Sequence, residues 1–139
     1  ETYPGIRDYM DKEIKEAHEV GYVKTIMGRK RVINELKNKN YNIRSMGERM
    51  ALNTPIQGSS ADILKKAMIE IDREFTKRGL KSRMLLQIHD ELVFNVLVDE
   101  EEIVKKIVKN IMENTYKISV PIVADINIGA DLYYMRLSK

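Results

Sequence analysis

Hydrophobic and polar positions alternate with two different periods along the chain. From Tyr3 to Glu19, Ile6, Met10, Ile14 and Ala17 recur at helical spacing, with Pro4 suited to a first turn and Gly21 to a C-terminal stop. Tyr22–Ile26 and Lys30–Ile33 flank Met27-Gly28-Arg29, which predicts a short basic hairpin turning at Gly28. The polar stretch Asn34–Asn42 reads as a loop. A helix is expected from Ile43 to Thr54, interrupted by Pro55, with a second starting near Ser59-Ser60-Ala61-Asp62, whose Ser-x-x-Asp spacing resembles a capping box. Leu64, Ala67, Met68, Ile71 and Phe75 then form a helical stripe that Gly79 ends.

Beyond Gly79 the period shortens to two. Met84–His89 and Leu92–Val98 alternate as strands, and with only Asp90-Glu91 between them they should pair as an antiparallel hairpin. Asp99 and Glu102 open a helix whose apolar stripe is Ile103, Val104, Ile107, Val108, Ile111 and Met112. Ile122, Ala124, Ile126 and Ile128 predict a last strand, with Pro121 at its start. The class is α+β: an antiparallel sheet with a central hairpin carrying His-Asp-Glu and helices on one face, preceded by an N-terminal helix and a basic hairpin.

Composition narrows the chemistry. The 139 residues fit one domain, or one with a small appendage, and the 43% hydrophobic and 32% charged shares exclude a disordered tail. No run approaches the roughly 18 apolar residues of a membrane-spanning helix, so no membrane partner is expected. The absence of cysteine removes disulfides, thiolate catalysis and cysteine-ligated zinc, and a reducing cytoplasm is the expected compartment. Charge is unevenly spread. Lys24, Arg29, Lys30, Arg31, Lys37, Lys39, Arg44 and Arg49 face only Glu35 and Glu48, a net of +6, while the remaining 16 basic and 19 acidic residues leave −3. Such a segment either holds a polyanion or is a solvated lysine-rich surface.

Two constellations carry candidate chemistry. His89-Asp90-Glu91 puts adjacent carboxylates at a tight turn with no glycine, an arrangement that a divalent cation such as magnesium would offset. An ordinary solvated turn is the alternative. Arg49, Asn53 and Gln57, spaced by four, would make a polar stripe suited to phosphate, sugar and base edges if the helix continues past Pro55. Its alternative is an unremarked surface stripe.

Longer stretches around these residues resemble a known family. Arg49-Met-Ala-Leu-Asn53-Thr-Pro-Ile-Gln57-Gly-Ser-Ser-Ala-Asp-Ile63 is similar to a signature of the family A DNA polymerases, and Gln87-Ile-His89-Asp90-Glu91-Leu-Val-Phe94 resembles that family's third catalytic motif. Gly21-Tyr-Val-Lys-Thr-Ile-Met-Gly28-Arg29-Lys30-Arg31 resembles the hairpin that precedes them, and Tyr3-Pro4-Gly5 with the following helix matches as well.

The resemblance implies a role for each matching residue. Asp90 would bind catalytic magnesium (Mg2+), Glu91 would be a supporting carboxylate, and His89 would touch the primer end. Arg49, Asn53 and Gln57 would line the template–primer minor groove. Charge adds Arg29, Arg31 and Arg44 as DNA contacts. Residues 1–42 would belong to the fingers and 43–139 to the palm. The implied activity is DNA-templated DNA synthesis in replication and repair by two-metal nucleotidyl transfer: the primer 3′-hydroxyl attacks the α-phosphate and pyrophosphate leaves. The partners are primer–template DNA, deoxynucleoside triphosphates and the rest of the polymerase chain. The family's other metal-binding aspartate and its nucleotide-binding helix match no segment here. The expectation is therefore a C-terminal fragment, inactive alone. A non-catalytic nucleic-acid-binding module and a metal-dependent nuclease are the competing readings.

Overall fold

The computed structural model describes residues 3–131. Its elements are α1 (Pro4–Val20), β1 (Tyr22–Lys24), β2 (Lys30–Val32), a 3-10 turn (Asn34–Lys37), α2 (Tyr41–Arg78), β3 (Arg83–Ile88), β4 (Glu91–Asn95), a second 3-10 turn (Val98–Glu100) and α3 (Glu101–Asn114). Two compact units divide within α2, Glu1–Asp62 and Ile63–Lys139.

In the first unit Gly21 closes α1 in the left-handed region, its N–H donating to the Ala17 carbonyl at 2.8 Å. The chain then turns into β1, which pairs antiparallel with β2. Gly28 sits in the intervening turn at φ 83°, a conformation that costs a residue with a Cβ about 1 kcal/mol or more. Ala17, Val23, Ile33, Leu36 and Ala51 form the core, with Met50 packed against it. The expected Asn34–Asn42 loop is instead half ordered: burying Leu36 draws Asn34–Lys37 into the 3-10 turn, and α2 starts at Tyr41.

The largest correction concerns Pro55. One unbroken helix runs through it from Tyr41 to Arg78. Ser59 consequently lies mid-helix and caps nothing; its hydroxyl donates to the Pro55 carbonyl and accepts the Ile26 N–H at 2.8 Å. Local propensity predicted a break, yet the helix continues through the proline.

In the second unit Ile71 and Phe75 of α2 meet Val104, Ile107 and Val108 of α3, and Met84, Leu92, Phe94 and Val96 close over them. The Phe75 and Phe94 rings lie 5.9 Å apart at 48°. Each large side chain fully withdrawn from water adds about 1.5–3 kcal/mol. The helices thus cover one face of the β3–β4 hairpin. Its other face, with Leu85, Leu86 and Ile88, is exposed.

Three expectations change in this unit. The register slips between Met84 and Leu86, a bulge at Leu85 that strict alternation did not foresee. Asp99 and Glu102 do not box the start of α3, because the Glu100 carboxylate at its N-cap turns back to the Lys81 and Ser82 N–H groups at 2.9 and 2.7 Å. The strand expected over residues 122–128 does not form. There the Ala124 N–H donates to the Glu113 carboxylate at 3.1 Å rather than to a neighbouring strand. Among the described residues, the expected larger sheet is therefore the two-stranded β3–β4 hairpin alone, and the basic hairpin β1–β2 is a separate two-stranded sheet as expected.

Candidate functional site

Because α2 is continuous, positions four apart advance by about 40° round its axis, and Arg49, Asn53 and Gln57 lie on one stripe about 12 Å long. All three are exposed. On the opposite side Gly47, Ala51 and Thr54 are buried and Gly58 is half-buried, a small-residue face that lets the preceding segment approach closely. A Cβ on Gly58 would fall 2.8 Å from the Thr25 methyl, and one on Gly47 would fall 3.0 Å from the Leu36 nitrogen. The stripe is thus turned outward by what its opposite face must bury. A guanidinium with five donors and two amides that both donate and accept suit phosphate oxygens and the acceptors of a minor-groove edge.

The other basic candidates have intramolecular partners. Arg29 donates from Nε to Asp62 Oδ1 at 2.8 Å and from Nη2 to the Gly58 carbonyl at 3.3 Å. Arg31 Nη1 donates to Thr54 Oγ1 at 3.0 Å. Arg44 lies over the Tyr41 ring and donates to the Asn38 carbonyl at 3.2 Å. Each keeps donors beyond those bonds. The engaged ones hold the β1–β2 hairpin and the Asn38–Asn40 turn onto α2.

In the second unit the β3–β4 turn is one residue earlier than the sequence reading had it. Ile88 pairs with Glu91, so His89 and Asp90 are the two turn residues and Glu91 begins β4. His89 takes φ 52°, the left-handed region that glycine or asparagine enters more cheaply, at a cost of about 1–3 kcal/mol. The Gln87 side-chain amide donates to the His89 carbonyl and braces this turn. His89, Asp90 and Glu91 are all exposed. The structure places Asp90 in the turn and Glu91 directly after it at the start of β4, with His89 before them. Among the described residues, no group of three or more His, Asp or Glu side chains gathers to hold a metal ion. The donor chemistry fits magnesium, two hard carboxylates with other oxygen ligands still required.

Sequence reasoning missed four residues that position these groups. Thr54 and Asp62 anchor the hairpin to α2, and Thr25 braces the hairpin turn by accepting the Arg29 N–H. Ser82 bridges the two loops at the base of β3–β4, its hydroxyl donating to Glu100 at 2.6 Å and accepting the Leu97 N–H at 3.1 Å. The recurrence of Gly47, Ala51, Thr54 and Gly58 was the available signal for a close-packed face. Nothing in the local pattern signalled the Ser82 bridge.

Comparison with known proteins decides the family. The model of DNA polymerase family A matches residues 1–134. The chain belongs to DNA polymerase family A. This family A chain is 47% identical over 133 residues to DNA polymerase I of Streptococcus pneumoniae serotype 4 and equally to that of Bacillus subtilis strain 168, in each case over 96% of the chain and 15% of the relative. Among solved structures it is similar to the POL domain of Pol1 from M. smegmatis, a complex with DNA primer-template and dNTP, with a TM-score of 0.82 and 45% identity over 84% of this chain and 21% of that one. The family A chain therefore spans about 15% of the length of the curated relatives it matches. Among the described residues, no helix is long and apolar enough to cross a membrane.

Proposed function

We propose that these residues form part of the catalytic region of a DNA-directed DNA polymerase that extends a primer on a DNA template from deoxynucleoside triphosphates. One observation carries the reading. Asp90 closes the two-residue His89-Asp90 turn and Glu91 follows it as the first residue of β4, both exposed, in a chain that the family A model covers from residue 1 to 134. Residues 1–42 form the end of the fingers and 43–139 the palm, with the β3–β4 hairpin central to it; the observed compact units divide later, within α2.

Asp90 would hold magnesium through its carboxylate, and Glu91 would support it from the first position of β4. Magnesium held there would supply positive charge to offset the phosphate oxygens and the 3′-oxygen; the reaction joins that oxygen to the α-phosphate and releases pyrophosphate. His89, whose left-handed turn projects it beside Asp90 in the chain, touches the primer end. Arg49, Asn53 and Gln57 donate to the minor-groove side of the template–primer. Arg29, Arg31 and Arg44 add positive field with the donors not spent on α2. Among the described residues no third carboxylate or imidazole joins Asp90 and Glu91 to fix the metal, so the 139 residues by themselves should perform no measurable synthesis.

The test is Asp90→Asn in the complete polymerase chain. The substitution keeps volume and turn preference but removes the charge that holds the metal. Primer–template affinity should persist while extension falls by several orders of magnitude, since the lost interaction belongs to the transition state. Glu91→Gln should cost much less. Near-normal extension by a folded Asp90→Asn enzyme would remove Asp90 from the active site, and DNA cleavage without extension would favour a nuclease.

A further inference from the structure

Proline inside a helix removes one N–H and crowds the carbonyl four residues back, a loss of about 3 kcal/mol that ordinarily kinks or ends the helix. Here Pro55 leaves the Ala51 carbonyl without its helical donor, yet α2 continues to Arg78. The β1–β2 hairpin and its turn send four donors to the residues around that weak point. The Arg31 guanidinium reaches Thr54 Oγ1 at 3.0 Å, the Ile26 N–H reaches Ser59 Oγ at 2.8 Å, and Arg29 reaches the Gly58 carbonyl at 3.3 Å and Asp62 Oδ1 at 2.8 Å. Ser59 passes the connection on, its hydroxyl donating to the Pro55 carbonyl. The receiving residues lie between Thr54 and Asp62, and Thr54 is buried while the Asp62 side chain is only 10% exposed. Gly58 has no side chain to hold the hairpin away, since a Cβ there would meet Thr25 at 2.8 Å.

We propose that the hairpin is a splint for the proline-weakened turn of α2, and that Arg29 and Asp62 are positioning residues for Asn53 and Gln57 on the opposite face of that turn. The positioning role rests on the reading of Arg49, Asn53 and Gln57 as DNA contacts. With the splint in place, Gln57 stays in helical register with Asn53 across Pro55. Without it, the helix hinges between them and the two amides no longer reach adjacent nucleotides together. The charge of Arg29 is then secondary to its fork geometry, which serves a carboxylate and a carbonyl at once.

The sign of one substitution separates this role from a simple phosphate contact. Asp62→Asn removes a negative charge beside Arg29 at unchanged volume. If Arg29 acted only through its charge, the variant would bind DNA more tightly. The splint requires weaker binding. The experiment uses the complete polymerase chain with Asp62→Asn, Arg29→Lys, the double variant and Asn53→Ala, measuring primer–template affinity at several salt concentrations and amide exchange across residues 51–60. Asp62→Asn and Arg29→Lys should each accelerate exchange in that segment and weaken primer–template binding about fivefold. The double variant should be no worse than either single one, and the salt slope should be unchanged. Arg29→Lys, which retains charge and stem, carries the test if Asp62→Asn fails to fold. Tighter or unchanged binding with undisturbed exchange overturns the splint. Accelerated exchange with no loss of affinity in Asn53→Ala upholds the splint and overturns the DNA-contact reading on which the positioning role depends.

Discussion

Replacing Gly47 with alanine sets local preference against packing, and the two predict opposite signs. Glycine inside a helix is less favourable than alanine by about 1 kcal/mol, so helix propensity alone forecasts stabilisation. The structure forecasts the reverse. A Cβ at Gly47 would lie 3.0 Å from Glu35 Cβ, 3.0 Å from the Leu36 nitrogen and 3.1 Å from the Glu35 carbonyl carbon, where unstrained carbon contacts lie at about 3.5–4.0 Å. Two of those atoms are backbone of the 3-10 turn whose Leu36 is only 3% exposed, so relief requires moving a buried residue. Overpacking of this kind costs about 1–3 kcal/mol. Set against the propensity gain, Gly47→Ala should be destabilising by about 1 kcal/mol, a fall of about 4 °C in Tm for a chain of this size. Gly5→Ala is the internal control. It lies in the first turn of α1 with nothing within 4 Å of the new atom, and should gain a few tenths of a kcal/mol. Thermal unfolding followed by circular dichroism reads both variants in parallel. A Gly47→Ala protein that melts at or above the parent would refute the close-approach argument, and with it the account of why α2 presents its polar stripe outward.

The remaining predictions address charge and chemistry. The Glu100 carboxyl is held below its ordinary value of 4.5, chiefly by the Lys81 N–H and then by the Ser82 hydroxyl and N–H. A depressed folded-state pKa contributes stability that is present above 4.5 and lost as pH falls through the folded value. Glu100→Gln should therefore melt lower than the parent at neutral pH, and the difference should close in acid; melting curves that stay parallel down to strong acid would sink the linkage. Arg49→Ala in the complete polymerase chain should weaken primer-end affinity by about tenfold and slow extension as well, read by single-turnover kinetics. Magnesium titrated into the 139-residue chain alone should find no saturable tight site, since two exposed carboxylates leave most of an octahedral shell to water. Full octahedral occupancy at Asp90 from this chain's atoms alone would contradict the ligand count.

The contrast between periodicity and packing explains which features were legible before the structure. Helical spacing at Ile6, Met10, Ile14 and Ala17, and again from Leu64 to Phe75, marked helices because burying one face of a regular element demands that period. Alternation before and after Asp90 marked β3 and β4 for the same reason. Gly21 and Gly28 marked a helix end and a turn, since both adopt positive φ. The family motifs, being contiguous in sequence, were readable without coordinates. What the sequence could not decide were balances between distant groups. That α2 runs through Pro55 was not legible in its own residues, and the groups that bond to that turn, Ile26, Arg29 and Arg31, lie more than twenty residues away along the chain. Whether the turn of β3–β4 falls at His89-Asp90 depends on the pairing of Ile88 with Glu91 and on a bulge at Leu85. Whether residues 122–128 join a sheet depends on a strand partner, and the Glu113 carboxylate takes the Ala124 N–H in its place. Periodicity records which face of an element is buried. Only the folded chain decides which neighbour buries it, and so which polar side chains are left facing outward.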